Sequence, residues 1–291
     1  MMAVGEPQGA AGTAISAQDF LRFREFYYRQ TGTWFDESKR YYVDKRLLER
    51  MRATGCDTFR SYFVRLRFEA KGEELQALIN SMTVNETYFF REEYQFQCLV
   101  RSLLPRIVQT KPRGQPIRIW SLPCSTGEEV YSLALYLLEY WPQVDDYDVE
   151  IVGSDIDTKA LEKARQGIYH ERPVHVLSKG ILERYFQRLP DGRHQVLQSI
   201  RDSVRMTRVN LQDPLETRSY RGFDVIFCRN LLIYFDDAAR RQAAETLFDA
   251  LMPGGYICLG HSESMSRMSP LFRPVRFPEA IVYQRPEETE R

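Results

Sequence analysis

Downstream of residue 85, short apolar runs alternate with helical segments, and this alternation restricts the possible folds more than any other feature of the sequence. The apolar runs cover residues 117–121, 149–153, 223–228 and 256–260. Their length and their turn-forming borders are typical of buried strands. Strands that alternate with helices build an α/β domain around a largely parallel sheet. Residues 168–204 break the pattern, so we expect an insertion that decorates the sheet without extending it.

The residues before this region have a different pattern of apolar and charged positions. Residues 16–84 contain no convincing strand run, and their apolar positions recur at helical spacing among many charges. We therefore predict a small helical domain over residues 15–84 and an α/β domain over residues 85–291. Residues 1–14 are rich in Gly and Ala, and a disordered tail is expected there.

The helical domain is basic. Between Arg22 and Arg67 the sequence has twelve Lys and Arg against six Asp and Glu. Residues 37–54 are predicted to form one helix that ends at Gly55. Three basic residues at spacings of seven and four share one face of it: Lys39, Arg46 and Arg50. Two interpretations stay open, a solvated charged face or a docking stripe for an acidic partner.

Composition excludes several classes of protein. Forty Lys and Arg balance forty Asp and Glu, so the chain is not a wholly basic nucleic-acid coat. The longest apolar stretch, residues 131–141, contains Glu139 and is too short to span a membrane. No apolar signal segment precedes Arg22, so we expect a cytoplasmic protein without direct membrane insertion. Five scattered cysteines and four histidines lack the spacing of a disulfide framework or a zinc site, so reduced thiols and no metal are expected.

Polar residues stand where three of the predicted strands end, and ligands of α/β sheets bind at that edge. The loop at residues 122–129 has one glycine and fails the G-x-G-x-x-G pattern of dinucleotide sites. Asp155 is placed to bind ribose hydroxyls; a helix cap is the alternative, although Asp157 fits that role better. Arg229 and Asn230 follow a buried strand and are expected to face a cleft, because unpaired burial would be costly. The N-P-P-Y quartet of base-flipping methyltransferases is missing, which disfavours a nucleic-acid substrate.

Six blocks of sequence, taken together and in order, resemble the CheR family of bacterial chemoreceptor glutamate methyltransferases, which use S-adenosylmethionine. The blocks are N-E-T-Y-F-F-R-E (85–92), W-S-L-P-C-S-T-G-E-E-V-Y-S-L-A-L (120–135), G-S-D-I-D (153–157), V-N-L (209–211), F-D-V-I-F-C-R-N-L-L-I-Y-F (223–235) and G-H-S-E (260–263). The likeness covers about residues 15–284. It implies an all-helical N-terminal domain followed by a Rossmann-like methyltransferase domain, with a small β-subdomain inserted at about residues 168–204.

The resemblance also implies roles for individual residues. Nine would line the S-adenosylmethionine site: Asn85, Thr87, Arg91, Glu129, Asp155, Asn210, Leu211, Arg229 and Asn230. Arg91 and Tyr234 would face the reacting centre. Lys39, Arg46 and Arg50 would match the family's docking helix, which lies against acidic receptor helices, and this favours the docking interpretation of the basic stripe.

The function implied is methylation of glutamates on the cytoplasmic signalling domains of chemoreceptors, with S-adenosylhomocysteine as product, by an enzyme recruited to membrane-associated receptor arrays. The turn at residues 188–195 lacks the glycine-rich extension of relatives that bind a receptor's C-terminal pentapeptide, so no such tether is expected. No nucleic-acid partner is expected either. The alternatives are a non-catalytic S-adenosylmethionine-binding signalling module and a methyltransferase for nucleic acids or small molecules. Intact Arg91, Asp155, Asn230 and Tyr234 argue against the first.

Overall fold

The computed structural model describes residues 14–112 and 114–287. The chain divides into two compact units, one ending at Thr83 and one beginning at Val84. Apart from residue 14, the tail predicted over residues 1–14 lies outside the described residues.

The described part of the first unit is all-helical. Its core is built from aromatic and aliphatic side chains with little or no solvent exposure, among them Phe20, Phe23, Leu47, Tyr62 and Leu78. Burying side chains of this size is the main stabilising contribution to a unit this small. Its helices are α1 (Ala17–Thr31), α2 (Arg40–Thr54), α3 (Phe59–Phe68) and α4 (Glu73–Met82).

Helix α2 begins later than the sequence suggested. Glu37–Lys39 forms a separate 3₁₀ turn, and the Asp36 carboxylate accepts the backbone N–H of Ser38 at its start. Helix α2 ends at Gly55, as predicted. Because Lys39 lies in the turn before α2, only Arg46 and Arg50 of the basic stripe belong to the α-helix.

The described part of the second unit holds a seven-stranded sheet and a separate three-stranded sheet. In chain order the strands are β1 (Ile117–Ser121), β2 (Val149–Asp155), β3 (Ile168–Tyr169), β4 (Phe186–Arg188), β5 (His194–Val196), β6 (Val204–Arg208), β7 (Phe223–Cys228), β8 (Leu251–Leu259), β9 (Arg273–Arg276) and β10 (Ile281–Gln284). The large sheet has the order β6-β2-β1-β7-β8-β10-β9. Its first five strands are parallel, whereas β10 and β9 are antiparallel to their neighbours. This confirms the predicted Rossmann-like α/β fold.

Helices connect the parallel strands, because parallel neighbours need a crossover connection, which is usually an α-helix. The segment between β1 and β2, α7, is apolar on nearly all sides, and its buried residues include Val130, Leu133 and Leu137. In residues 14–112 and 114–287, no helix has the length and apolar character to cross a membrane. The α-helices in the described part of this unit are α5 (Tyr94–Cys98), α6 (Leu104–Thr110), α7 (Glu128–Tyr140), α8 (Thr158–Gln166), α9 (Glu171–Val174), α10 (Lys179–Tyr185), α11 (Gln198–Asp202), α12 (Pro214–Thr217) and α13 (Asp237–Ala250).

The insertion carries the three-stranded sheet, in the order β3-β5-β4. Its inner face packs on Phe89, whose ring centroid lies 4.9 Å from that of Tyr169 and 5.4 Å from that of Phe186. The turn between β4 and β5 is tight, because the backbone N–H of Leu189 donates to the carbonyl of Arg193 at 2.8 Å. The insertion therefore supports the segment at residues 85–92 and does not join the main sheet.

Candidate active site

The carboxyl ends of β2, β1 and β7 lie side by side, and the segment at residues 85–92 is bonded to the loops that follow all three. The Asn85 amide donates to Asp157 after β2 and accepts from the Ser125 hydroxyl after β1, each at 2.8 Å. The guanidinium of Arg229, after β7, donates to the main-chain carbonyl of Arg91. This edge is the switch point of the sheet, where α/β proteins bind ligands.

Asp155 ends β2 and is only 5% exposed. Its carboxylate accepts the backbone N–H of Ser125 at 2.7 Å and that of Asp157 at 2.9 Å. Burial raises the pKa of Asp155 from 3.8 to about 6, although these backbone donors oppose the shift. The cap of α8 is Asp157, whose side chain accepts the N–H groups of Lys159 and Ala160 in the first turn of that helix. Asp155 therefore anchors the loop after β1 and is not a helix cap.

The loop after β1 turns sharply at Gly127. The φ of Gly127 is 96°, and a Cβ built there would lie 3.0 Å from both the Ala164 Cβ and the Tyr169 Oη. Tyr169 in turn donates to the carbonyl of Thr126 at 2.7 Å. A single glycine is thus required where the loop meets α8 and the insertion, and the loop does not need the glycine-rich pattern that the sequence lacks.

Arg229 was expected to face a cleft, but its side chain is only 2% exposed. It lies 2.9 Å from the Glu129 carboxylate and 3.3 Å from that of Glu92, and its guanidinium carbon is 5.6 Å from the centre of the Phe96 ring. Two carboxylates and the Arg91 carbonyl offset the cost of removing the cation from water. Burial raises the pKa of Glu129, while the charge of Arg229 lowers it.

Glu263 organises the loop after β7, a role that the sequence did not predict. Its carboxylate accepts the backbone N–H groups of Asn230, Leu232 and Gly260, each at 2.8 Å. Burial raises the pKa of Glu263, against the effect of these donors. A Cβ on Gly260 would lie 2.8 Å from both the Glu263 Oε2 and the Asn230 Nδ2. The sequence signal for this role is the position of Glu263 in the motif G-H-S-E, three residues after Gly260.

We expect Glu263→Gln to lower the free energy of unfolding by about 2–3 kcal/mol, because the amide nitrogen cannot accept a backbone N–H and leaves a buried donor unpaired. Urea denaturation measures this loss. Glu245→Gln, the same substitution at an exposed position of α13, should change stability by less than about 0.5 kcal/mol. Equal stabilities of the two variants would contradict the role assigned to Glu263.

Backbone strain is concentrated at the same edge. Within the described residues, the non-glycine residues with positive φ are Phe90, Glu92, Ser125 and Asn230, with values between 49° and 58°. This conformation costs about 1–2 kcal/mol for a residue with a side chain. Such strain persists where the surroundings hold it, and it is common at functional sites.

The remaining residues that the motifs assigned to the cofactor lie near these groups or on the same segment. Asn210 and Leu211 are buried directly after β6, where the N–H of Val209 donates to the main-chain carbonyl of Asp155 at 3.0 Å. Thr87 is half-buried on the segment at residues 85–92. The structure thus places these residues close to Asp155 or to the loops around it.

The two residues assigned to the reacting centre are more accessible. Tyr234 ends the one-turn helix Leu232–Tyr234 and is 41% exposed. The Arg91 side chain is half-buried and donates to the carbonyl of Glu86 at 3.1 Å. Neither side chain is enclosed, so both can meet an incoming substrate.

The three basic residues of the predicted stripe differ in solvent exposure and in ion pairing. Lys39 is exposed, and Arg46 donates to Glu49 at 2.9 Å. Arg50 donates hydrogen bonds to both carboxylate oxygens of Glu74, at 2.9 and 2.6 Å, and Glu74 is only 4% exposed. Arg50 therefore neutralises a buried carboxylate, which leaves Lys39 and Arg46 as the more available members of the stripe.

Among the residues that the structure describes, no group of three His, Cys, Asp or Glu side chains is placed to hold a metal ion. The site residues named above contribute carboxylate, amide, hydroxyl and guanidinium groups.

Comparison with known proteins identifies the family. Residues 85–281 match the model described as CheR methyltransferase, SAM binding domain, and residues 18–83 match CheR methyltransferase, all-alpha domain. The chain is 53% identical to chemotaxis protein methyltransferase 2 of Vibrio cholerae, covering 94% of this chain and 95% of that one. It is 38% identical to chemotaxis protein methyltransferase 2 of Pseudomonas aeruginosa (89% and 90% covered) and 36% identical to the chemotaxis protein methyltransferase of Salmonella typhimurium (88% and 86%). These matches confirm the resemblance seen in the six motifs, and the chain belongs to the CheR family of S-adenosylmethionine-dependent methyltransferases.

Proposed function

We propose that this protein methylates glutamate side chains on the cytoplasmic signalling domains of chemoreceptors, giving glutamate methyl esters and S-adenosylhomocysteine. The relatives it matches are named chemotaxis protein methyltransferases. The structural observation that carries the proposal is the bonding of residues 85–92 to the loops after β1, β2 and β7. It brings Arg91 to the edge of the sheet where the cofactor of this fold binds.

The donor set at this edge fits S-adenosylmethionine. Asp155 offers a carboxylate to ribose hydroxyls, Asn210 an amide, and Leu211 an apolar surface for a base. Glu129 and Asn230 offer acceptor groups to an amino-acid moiety. The Arg229 Nε is buried without a hydrogen-bond partner among the described residues, so a polar ligand group there would meet an unsatisfied donor. When bound, the cofactor supplies a methyl group on a positively charged sulfur.

The acceptor needs little activation by the protein. A glutamate has an ordinary pKa of about 4.3, so its carboxylate is already a nucleophile at neutral pH and requires no general base. The protein must hold the carboxylate and the methyl group in the right relative position. Such positioning can lower the activation free energy by roughly 7–11 kcal/mol. We assign Arg91 to orient the carboxylate through one N–H group, because a bidentate grip would blunt the nucleophile. We assign Tyr234 a hydrogen-bonding role at the reacting centre, with its hydroxyl as the donor.

The raised pKa of Asp155 predicts that cofactor affinity depends on pH. Ribose hydroxyls donate to the ionised carboxylate, so binding favours the charged form, whereas burial in the free protein raises the pKa to about 6. We expect the Kd of S-adenosylhomocysteine, measured by calorimetry, to fall as pH rises through about 6 and to level off above it. Below that pH it should rise by up to about tenfold per unit.

The control for this pH dependence is Asp155→Asn, which has no carboxylate to titrate and should bind weakly with a flat profile. A flat profile in the wild type would contradict the role given to Asp155.

The raised pKa of Asp155 also makes the free energy of unfolding depend on pH. The folded, cofactor-free protein holds the proton that the unfolded chain releases near pH 3.8, so this group's contribution to stability falls as pH rises from about 4 to about 6.

We also propose that the protein acts at receptor arrays without a pentapeptide tether. The support is the tight turn between β4 and β5, which offers little main chain for an added strand. Calorimetry with a receptor C-terminal pentapeptide should show no measurable binding, and measurable binding would contradict this part of the proposal.

The proposed substrate can be tested by locating the modified residues. The protein is incubated with S-adenosylmethionine and purified chemoreceptor signalling domains, and the products are mapped by tandem mass spectrometry. We expect single methyl groups on glutamates that mild base removes. Methyl groups on lysine or arginine, stable to base, would contradict an ester-forming reaction.

A further inference from the structure

A cavity of about 400 Å³ lies beside the one-turn helix Leu232–Tyr234, and its wall is rich in arginine. Arg240, Arg241 and Arg267 all line it. A volume of this size accommodates a side chain or a small ligand. Its lining includes none of the residues that the sequence motifs assigned to the cofactor or to the reacting centre.

Both carboxylates in the wall already have partners within it. Asp237 pairs with Arg240 at 3.2 Å, and Arg240 also donates its Nε–H to the carbonyl of Leu232 at 2.9 Å. The carboxylate of Glu263 is occupied by three backbone N–H groups. Arg240 is therefore part of the wall's own structure, and neither acid remains to balance the other two arginines.

Arg241 and Arg267 are exposed, and their side chains form no hydrogen bond or ion pair with any residue in the described ranges. The cavity thus carries a net positive charge. Ile233 and Met268 add apolar surface, and the exposed Ser262 adds a hydroxyl donor. Guanidinium groups above an apolar surface suit a carboxylate at the end of an aliphatic stem, which is the shape of an acidic side chain.

We propose that this cavity binds an acidic side chain flanking the acceptor glutamate on the substrate helix, an inference that rests on the proposed function. The turn that borders the cavity also carries Tyr234, so the cavity adjoins the proposed reacting centre. A helix presents residues three, four and seven positions away on the same face as the acceptor. Arg241 and Arg267 then select glutamates that have an acidic neighbour at such a spacing.

The proposal predicts an effect on substrate binding rather than on chemistry. With a receptor signalling domain as substrate, the double variant Arg241→Glu/Arg267→Glu should raise KM for the receptor about tenfold, as expected for two exposed ion pairs replaced by repulsion. The kcat at saturation and the Kd of S-adenosylhomocysteine should stay within about twofold. The matched control is Arg205→Glu on β6, the strand at the far end of the sheet, where an exposed arginine has no side-chain partner among the described residues.

A binding assay separates this proposal from the proposed function. The probes are a fluorescein-labelled helical peptide with glutamates at positions i, i+3, i+4 and i+7, and its all-glutamine counterpart. Fluorescence anisotropy should show binding of the glutamate peptide to wild type and to Arg205→Glu, with affinity about tenfold lower in the double variant. Lysine at the flanking acidic positions of the receptor should restore a low KM to the double variant.

The outcomes distinguish the two claims. Methylation by the wild type with an unchanged KM and unchanged peptide affinity in the double variant would overturn the cavity proposal and leave the proposed function intact. Absence of receptor methylation by the wild type, together with peptide affinity that the double variant loses, would overturn the proposed function and support an acidic-ligand site. Equal binding of the glutamate and glutamine peptides would overturn the cavity proposal.

Discussion

Arg229→Ala is expected to lower the free energy of unfolding by about 3–5 kcal/mol, because it leaves two poorly exposed carboxylates without their shared cation. Glu129 and Glu92 lie 2.9 and 3.3 Å from the guanidinium, with side-chain exposures of 13% and 16%. The substitution also removes the donor to the Arg91 carbonyl, so the segment at residues 85–92 loses its bond to the loop after β7. Urea denaturation followed by circular dichroism measures the effect.

The control for this prediction is Arg205→Ala, which removes an exposed arginine that has no side-chain partner in the part of the chain that the structure describes. It should change stability by less than about 0.5 kcal/mol. Arg229→Lys tests separately whether the planar shape of the guanidinium matters. Lysine keeps the positive charge but lacks the planar group that bonds to both carboxylates and to the carbonyl. A loss below about 1 kcal/mol for Arg229→Ala would mean that the network does not stabilise the folded site.

Arg91→Ala should have the largest effect on catalysis, a fall in kcat of about 100- to 1000-fold. The proposed role of its guanidinium is to hold the acceptor carboxylate in line for transfer. The fold should survive, since the structural bond of this residue to Arg229 runs through its main-chain carbonyl, which alanine retains. Methyl transfer to a receptor signalling domain at saturating substrate gives kcat.

Arg91→Lys should recover part of the lost rate, and Tyr234→Phe should show a smaller loss than Arg91→Ala, because it removes one neutral hydrogen bond. Thermal unfolding of each variant should match the wild type closely, which separates a catalytic from a structural defect. Retention of wild-type kcat by Arg91→Ala or by Tyr234→Phe would remove that residue from the reacting centre.

The fold was predictable because its signals are local. Buried parallel strands such as β7 are nearly continuous apolar runs, interrupted in β7 only by Asp224, and the turns between them contain glycine, proline or charged residues. The boundary of α2 was less predictable. Asp36 can bond to nearby backbone N–H groups, and the 3₁₀ turn that it starts delays the α-helix to Arg40.

The partners of charged residues could not be predicted, because they are distant in sequence. Arg229 meets Glu129 and Glu92 across 100 and 137 positions, and Arg50 meets Glu74 across 24. Nothing in the local pattern distinguishes a residue that faces a cleft from one that is buried with such partners. Only the tertiary structure therefore shows that Arg229 and Arg50 form buried or half-buried ion pairs.

Glutamate methyl ester formation can be measured by the transfer of tritiated methyl from S-adenosylmethionine to purified chemoreceptor signalling domains. The assay compares the wild type with Asp155→Ala and Arg205→Ala, and treatment with base releases esterified label as volatile methanol. We expect base-labile label with the wild type and Arg205→Ala, and little or none with Asp155→Ala. Label that resists base, or no label from wild-type protein that binds the cofactor, would contradict the proposed function.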